Sequence, residues 1–214
     1  MSAASVIATS LSYPLPFAER KTWSMRAVDQ RATDQEWIDA TLGGDDQAFR
    51  RIVEAHVDEV SRTVTGMLGP GPEIDDVVQE VFIKLHRSLG SFRGEASLRT
   101  YVVRMAINKS LDTLRKRKRA RWLQPFSPED PYEPVSSDAT DGNLDEAECH
   151  ASLRAAVDKL PEDQRAVVVL RLIEDYSTDE TARILNIPYG TVLSRLKRGV
   201  EKLKKELGNT PGML

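Results

Sequence analysis

The sequence predicts an all-α protein with two small helical domains joined by an acidic linker that contains proline, the second domain being a helix-turn-helix. Apolar residues recur at helical intervals along most of the chain, and no segment shows the alternation typical of a strand. The division into domains rests on residues 123–145, which combine prolines with acids and serines. Such a composition cannot form a packed core, and it predicts an extended, flexible linker.

The first domain is expected to span residues 34–122 as a bundle of about four helices. Apolar positions fall at helical intervals over residues 37–68, and a Gly-Pro turn follows. Over residues 74–85 they form one stripe with spacings of three and four, which indicates an amphipathic helix. A further helix begins near Leu98 and continues into the basic run at residues 115–119.

The two terminal segments and the overall composition restrict the class of protein. Residues 1–33 mix serine, alanine, threonine and proline without helical periodicity, so we expect a disordered extension there, with Met25 as an alternative start, and a short tail at 209–214. The single cysteine, Cys149, excludes an internal disulfide. No apolar run reaches the roughly 18–20 residues of a membrane span. We therefore expect a cytoplasmic protein without membrane insertion.

The placement of charge indicates nucleic-acid binding, although the net charge is −3. Residues 99–121 hold nine Lys and Arg against one acid, and residues 183–205 hold seven against one. Between them, residues 127–148 hold eight Asp and Glu and no Lys or Arg. Because a polyanion responds to the local field, these two basic segments are candidate DNA-binding elements.

The second domain, expected at residues 146–208, carries the signals of a helix-turn-helix. Ser177 and Glu180 have the spacing of a capping box, which predicts a helix start. Asn186 follows that helix and suits a left-handed turn residue. Ile187 would plug the turn, and Pro188 suits the start of the next helix.

The two helices of this motif show an inner and an outer face. In the first helix, Ala182 and Leu185 are expected to face inward, with Ile184 alongside. The second helix has an apolar stripe of five residues: Val192, Leu196, Val200, Leu203 and Leu207. Its opposite face is polar and basic and carries Thr191, Ser194, Arg195, Lys197 and Arg198. A polar-basic helix braced in this way is suited to the major groove.

Aromatic residues lie among the bases of the first basic segment, and they allow two interpretations. Phe92, Tyr101 and Trp122 could stack on unpaired bases while Lys and Arg hold the phosphates. Alternatively, Phe92 and Tyr101 belong to the core and Trp122 only caps the helix. For Tyr101 the core interpretation is favoured.

The motifs of both domains resemble those of the extracytoplasmic-function (ECF) sigma factors of the sigma-70 family. Region 2 of that family resembles D-D-V-V-Q-E-V-F-I-K-L at 75–85, S-F-R-G at 91–94 and L-R-T-Y-V-V-R-M-A-I-N-K-S-L-D at 98–112. Region 4 resembles L-P-E-D-Q-R-A-V-V-V-L-R at 160–171 and the helix-turn-helix within 175–199. The resemblance covers residues from about Asp34 to Leu207.

The resemblance implies an alternative sigma factor that binds core RNA polymerase and promoter DNA, is restrained by an anti-sigma factor and needs no cofactor. Residues 34–122 would be region 2 and residues 146–208 region 4. The residues that would bind core polymerase are Asp75, Asp76, Gln79, Glu80 and Phe82. Those that would open and hold the −10 element are Phe92, Arg93, Arg99, Tyr101, Arg104, Asn108, Lys109 and Arg115. Those that would read the −35 element are Thr191, Ser194, Arg195, Lys197 and Arg198.

The sequence departs from the family pattern at two positions of the helix-turn-helix. Leu193 stands where many relatives carry Lys or Arg, so one expected −35 contact is in doubt. Asn186 replaces the usual turn glycine, a change that a left-handed turn tolerates.

Two other classes of function are alternatives to a sigma factor. An ordinary helix-turn-helix regulator would bind a palindromic duplex as a dimer, without polymerase, and would give no reason for the acidic helix at 74–85. An enzyme acting on nucleic acid would need a catalytic or metal site. Asp75 and Asp76 are adjacent and point in different directions on a helix, and His56, His86 and His150 are isolated. The sequence therefore predicts a protein that is not an enzyme and holds no metal.

Overall fold

The computed structural model describes residues 27–123 and 144–208, and the secondary structure of these two ranges consists of helices joined by short turns. This confirms the predicted all-α fold class. Most of the expected acidic linker, the N-terminal extension and the C-terminal tail lie outside the described residues. Within the described ranges, no helix is long and apolar enough to cross a membrane.

The first unit contains four α-helices and one short 3-10 turn. These elements are α1 (Ala27–Leu42), α2 (Asp46–Leu68), α3 (Ile74–Ser88), the 3-10 turn Leu89–Ser91 and α4 (Leu98–Leu123). Helix α1 begins at Ala27, inside the segment for which the sequence predicted disorder up to residue 33. The prediction placed this boundary too late because no apolar periodicity marks the first turns of α1.

Helix α2 lies at the centre of this unit; capping residues define its two ends, and one of its faces is buried. The Asp45 carboxylate accepts a hydrogen bond from the amide of Gln47 (2.8 Å) and caps the first turn, which leaves fewer unpaired N–H groups. At the other end Gly69 adopts a φ of +86°, a conformation that favours glycine. The buried face between these ends includes Phe49 and Ile52 and packs against α1, α3 and α4.

The second unit contains four α-helices and a π-helical turn. These elements are α5 (Leu144–Asp158), α6 (Glu162–Val168), the π turn Val169–Ile173, α7 (Thr178–Leu185) and α8 (Tyr189–Gly208). The sequence predicted one helix from Pro161 through Ile173, and the π turn interrupts it. Backbone hydrogen bonds that span five and six residues, instead of four, define this interruption. Glu174 N–H donates to the Val169 carbonyl (3.0 Å), and Tyr176 N–H donates to the Leu170 carbonyl (2.9 Å).

The helix-turn-helix forms as the sequence predicts. Ser177 and Glu180 make both hydrogen bonds of the capping box, at 2.8 and 3.2 Å. Asn186 is left-handed, with φ 53° and ψ 49°. The predicted inner face of α7 was wrong in one respect: Thr181 and Ile184 are buried, whereas Ala182 and Leu185 are half-buried. The rotation follows from an apolar core that extends beyond this unit, which draws Ile184 inward.

Helix α8 packs closely on α6 inside the second unit. Val168 and Leu203 belong to a small apolar cluster with residues of α5, against which Leu196 and Leu207 also pack. Gly199 is buried at the point of closest approach, where a Cβ atom would lie 2.8 Å from Cγ2 of Val168. Glycine is therefore required there for the two helices to touch.

The two units pack directly on each other. Val169, Leu170, Tyr176 and Ile184 of the second unit lie in the same buried apolar cluster as the core of the first. Gly66 of α2 marks the closest approach, because a Cβ atom at this position would lie 2.8 Å from Cγ1 of Val169. We call this packing of the two units the closed arrangement.

Candidate nucleic-acid interface

The residues of α3 that are predicted to bind polymerase lie on both its exposed and its buried face. Asp75, Asp76 and Glu80 are exposed and Gln79 is half-buried, as expected for a surface that meets a partner. Phe82 is fully buried in the core of the first unit, so its side chain is not available to a partner. This burial follows from its position on the apolar stripe of α3.

Helices α3 and α4 are tied by ion pairs between their polar faces. The Lys109 ammonium on α4 pairs with the exposed carboxylate of Glu80. The Arg117 guanidinium pairs with Glu73 at the start of α3 and also donates to the Leu68 carbonyl (3.1 Å). One of the predicted −10 cations, Lys109, is thus within reach of the predicted polymerase-binding face.

Phe92 and Tyr101 form an aromatic pair that lies partly in the core of the first unit. The rings of Phe92 and Tyr101 contact each other with centroids 5.1 Å apart, and both pack against the apolar cluster. The Tyr101 hydroxyl donates to the Ser88 hydroxyl at 3.2 Å. This supports the core interpretation of Tyr101, although both rings keep an exposed edge. Trp122, by contrast, is exposed at the end of α4.

Two of the predicted −10 cations and one predicted amide are exposed to solvent on the first unit. Arg93, Asn108 and Arg115 are exposed, and Arg115 makes only a surface ion pair with Asp112 (3.0 Å). Exposed pairs of this kind are weak and yield readily to a phosphate. These three side chains are therefore available to DNA in the closed arrangement.

Arg99 is engaged in a cluster that joins the two units. Its guanidinium makes a bidentate contact with the buried carboxylate of Glu59 on α2, with Nε 2.8 and 2.9 Å from the two oxygens. From the second unit, the Tyr176 hydroxyl donates to the same carboxylate at 2.7 Å. The Arg99 guanidinium lies 4.2 Å from the centroid of the Tyr176 ring. Burial and the negative charge of Glu59 both raise the pKa of Tyr176, so the hydroxyl stays a donor.

Arg104 also contacts the second unit. Its Nε donates to the carbonyl of Ile184 at 3.1 Å, and its Nη2 donates to the carbonyl of Arg183. These carbonyls belong to the last turn of α7, where the helix dipole is negative and free acceptors remain. In the closed arrangement, Arg104 therefore hydrogen-bonds the second unit, and Arg99 contacts it through the ring of Tyr176.

Two further polar contacts complete the junction between the units. Arg62 of α2 donates to the buried carboxylate of Glu174 at 3.2 and 3.3 Å. Burial raises the pKa of Glu174, and the charge of Arg62 opposes this shift. Arg165 of α6 donates to the carbonyl of Met67 at 2.8 Å. The junction thus combines apolar burial with directional hydrogen bonds, which favours one relative orientation.

The predicted −35 readers on α8 differ in how free they are. Lys197 and Arg198 are exposed. The Ser194 hydroxyl donates to the Thr191 carbonyl at 3.0 Å, and Thr191 itself is half-buried. Arg195 pairs through Nε with Asp163 of α6 at 3.2 Å, and its side chain is only 28% exposed. To reach a base, Arg195 would have to give up this ion pair.

Sequence reasoning missed the residues that join the units, namely Glu59, Arg62, Glu174 and Tyr176. Each is an ordinary member of a helix or turn in its local sequence, and its partner lies up to 117 positions away. The spacing of residues along one helix carries no signal of such a pairing. Within residues 27–123 and 144–208, no group of three or more His, Cys, Asp and Glu side chains could hold a metal ion.

The fold and this surface define a two-domain helical DNA-binding protein with a helix-turn-helix. Residues 52–120 match the family Sigma-70 region 2, and residues 150–203 match Sigma-70, region 4. The ECF RNA polymerase sigma factor SigW of Bacillus subtilis is 34% identical over 77% of this chain and 91% of its own length. The chain therefore belongs to the ECF sigma factors of the sigma-70 family, which are DNA-binding transcription initiation factors.

Solved structures show the same fold. The chain is similar to CnrH in its complex with the cytosolic domain of CnrY, with a TM-score of 0.61, 24% identity, and coverage of 83% of this chain and 99% of the other. It is equally similar to the sigma factor RpoE of Bartonella quintana in complex with the anti-sigma factor NepR, at a TM-score of 0.61 and 19% identity, covering 75% and 97%.

Proposed function

We propose that this sigma factor docks on core RNA polymerase through the acidic face of α3 and holds the promoter at two places. The −10 element would be opened and held by α4 and the segment before it, and the −35 element would be read by α8. The observation that carries this assignment is the exposure of Asp75, Asp76 and Glu80 on one helix while basic side chains are exposed on two others. Acidic and basic surfaces of one chain then meet different partners, a protein and a polyanion.

We further propose that the closed arrangement is the form of the factor away from polymerase. Arg99 and Arg104 make their contacts with Glu59, Tyr176 and the end of α7 in this form, so they cannot also hold a phosphate or a base. The two units must move apart before α4 and α8 can bind promoter elements separately. Docking on core polymerase would supply the free energy for this opening through contacts that exist only in the open state.

An anti-sigma factor that stabilises the closed arrangement is the partner we expect in addition to polymerase. One solved structure of the same fold is a complex with an anti-sigma factor, which supports this expectation. We infer a cytoplasmic location, since the proposed partners are polymerase and promoter DNA. We also infer that the chain acts by binding alone and catalyses no reaction itself.

Reversing the charge of the acidic face of α3 is expected to abolish most of the affinity for core polymerase. The variant Asp76→Arg/Glu80→Arg would place two cations where a basic partner surface is expected, and like charges across an interface repel. Both side chains are exposed, but Glu80→Arg also breaks the ion pair with Lys109, so the free energy of unfolding should fall by about 1 kcal/mol in the double variant. The measurement is the dissociation constant of the complex with purified core enzyme.

The matched control is Glu54→Arg/Asp58→Arg on α2. These two acids are also exposed and one helical turn apart, and the charge change is identical. The control is expected to bind core enzyme within about a factor of three of the wild type, since distant surface charges are screened beyond about 8 Å. Equal affinities of the two double variants would contradict the docking assignment.

A further inference from the structure

The outer surface of the first two turns of α8 is apolar rather than polar. Tyr189 is 50% exposed and Leu193 is 45% exposed, and the two are one helical turn apart on the same side. Gly190 lies beside them and contributes no side chain, with nothing within 4 Å of the Cβ position. We call Tyr189 and Leu193 the apolar pair.

Two polar side chains of the same two turns, those of Ser194 and Arg195, have partners within the protein, and Thr191 is half-buried. The Ser194 hydroxyl donates to the Thr191 carbonyl, and Arg195 is paired with Asp163 of α6. The N-terminal turns of a recognition helix are the part that reaches base edges in the major groove. In this chain, the large side chains that are exposed on those turns are therefore those of the apolar pair.

The charges around the apolar pair favour DNA over a protein as its partner. Lys197 and Arg198 follow on the exposed side of the next turn, and the first acid of α8 is Glu201, which lies 4.0 Å from the Lys197 ammonium. The cations beside the apolar pair can contact the phosphates that flank a DNA groove. The apolar pair itself can then contact an apolar group on a base edge inside the groove. In the major groove that group is the C5-methyl of thymine.

We propose that Leu193, supported by Tyr189, reads a thymine of the −35 element through its C5-methyl group. This inference rests on the proposed function, because it needs α8 to enter the −35 major groove. The remaining cations, Lys197 and Arg198, then hold phosphates or neighbouring bases.

The test begins with transcription from a promoter library with a randomised −35 element, using purified core polymerase and the full-length protein. The selected element is expected to contain an invariant thymine. Deoxyuridine at that position removes only the methyl group, and it should lower transcription by the wild-type protein about fourfold, the effect of exposing one buried carbon. The variant Leu193→Ala should transcribe the thymine and deoxyuridine promoters equally.

The matched control is Lys204→Ala, which removes an exposed cation about three turns further along α8. It should weaken both promoters by the same factor and keep the fourfold ratio between them. Wild-type transcription that is indifferent to deoxyuridine at every position, or a Leu193→Ala variant that keeps the fourfold ratio, would overturn the inference. Weaker binding of Leu193→Ala to core enzyme without DNA would overturn it too, since the apolar pair would then face a protein. A library without any transcript overturns the proposed function itself.

Discussion

Alanine in place of Tyr176 is expected to separate the two units of the chain. The ring is almost fully buried against the core of the first unit, its hydroxyl bonds to Glu59, and Arg99 lies over its face. Removing a buried aromatic ring costs about 3–5 kcal/mol, and the lost contacts here are between units rather than within one. We expect the wild type to unfold in urea in a single transition and the variant in two, and the radius of gyration of the variant without urea should be larger.

Two further variants make this result specific. Tyr176→Phe keeps the ring and removes only the hydrogen bond to Glu59, so it should cost about 1–2 kcal/mol and leave the units packed. Tyr189→Ala removes an exposed tyrosine of the same unit and should change the free energy of unfolding by no more than about 0.5 kcal/mol. An unchanged radius of gyration for Tyr176→Ala would show that the closed arrangement does not depend on this residue.

Alanine in place of Gly66 is expected to destabilise the closed arrangement through a steric contact. In an isolated helix, the change from glycine to alanine stabilises by about 0.5–1 kcal/mol. At Gly66 the new Cβ would lie 2.8 and 3.2 Å from the two γ carbons of Val169 in the other unit. Overpacking of this kind costs about 1–3 kcal/mol, so the sign of the effect should reverse.

The second substitution, Val169→Ala, completes a double-mutant cycle. Val169→Ala alone removes buried carbons and destabilises, but it also clears the space that a Cβ atom at Gly66 needs. The double variant should therefore be more stable than the sum of the two single effects by about 1–2 kcal/mol. Gly190→Ala, with nothing within 4 Å of its Cβ position, is the control and should stabilise. Additive effects of Gly66→Ala and Val169→Ala would contradict the contact.

Local sequence signals predicted much of the fold because they act within a few residues. The capping box at Ser177 and Glu180 and the left-handed Asn186 were both confirmed, since each depends only on neighbouring backbone groups. The helical stripe from Ile74 to Leu85 likewise predicted the buried face of α3. That same stripe predicts that Phe82 faces the core, where it is fully buried.

The junction between the units could not be predicted in this way. Glu59 sits on an amphipathic helix like any surface acid, and only the approach of Arg99 and Tyr176 from distant parts of the chain explains its burial. The rotation of α7 that buries Ile184 has the same origin. The place of Arg195 on α8 predicts a base reader, whereas its ion-pair partner Asp163 lies on a different helix. Tertiary contacts determine the surroundings of the residue in all three cases. Helical periodicity gives no information about such contacts.

Run-off transcription is the most direct test of the claim that this chain opens promoters for polymerase. The template carries the promoter upstream of its own gene, and the assay compares core enzyme alone, core enzyme with the protein, and core enzyme with Asp76→Arg/Glu80→Arg. A transcript of defined length should appear only with the wild-type protein, and the protein alone should bind the promoter duplex weakly. The absence of that transcript, together with tight dimeric binding to a palindromic duplex without polymerase, would contradict the account.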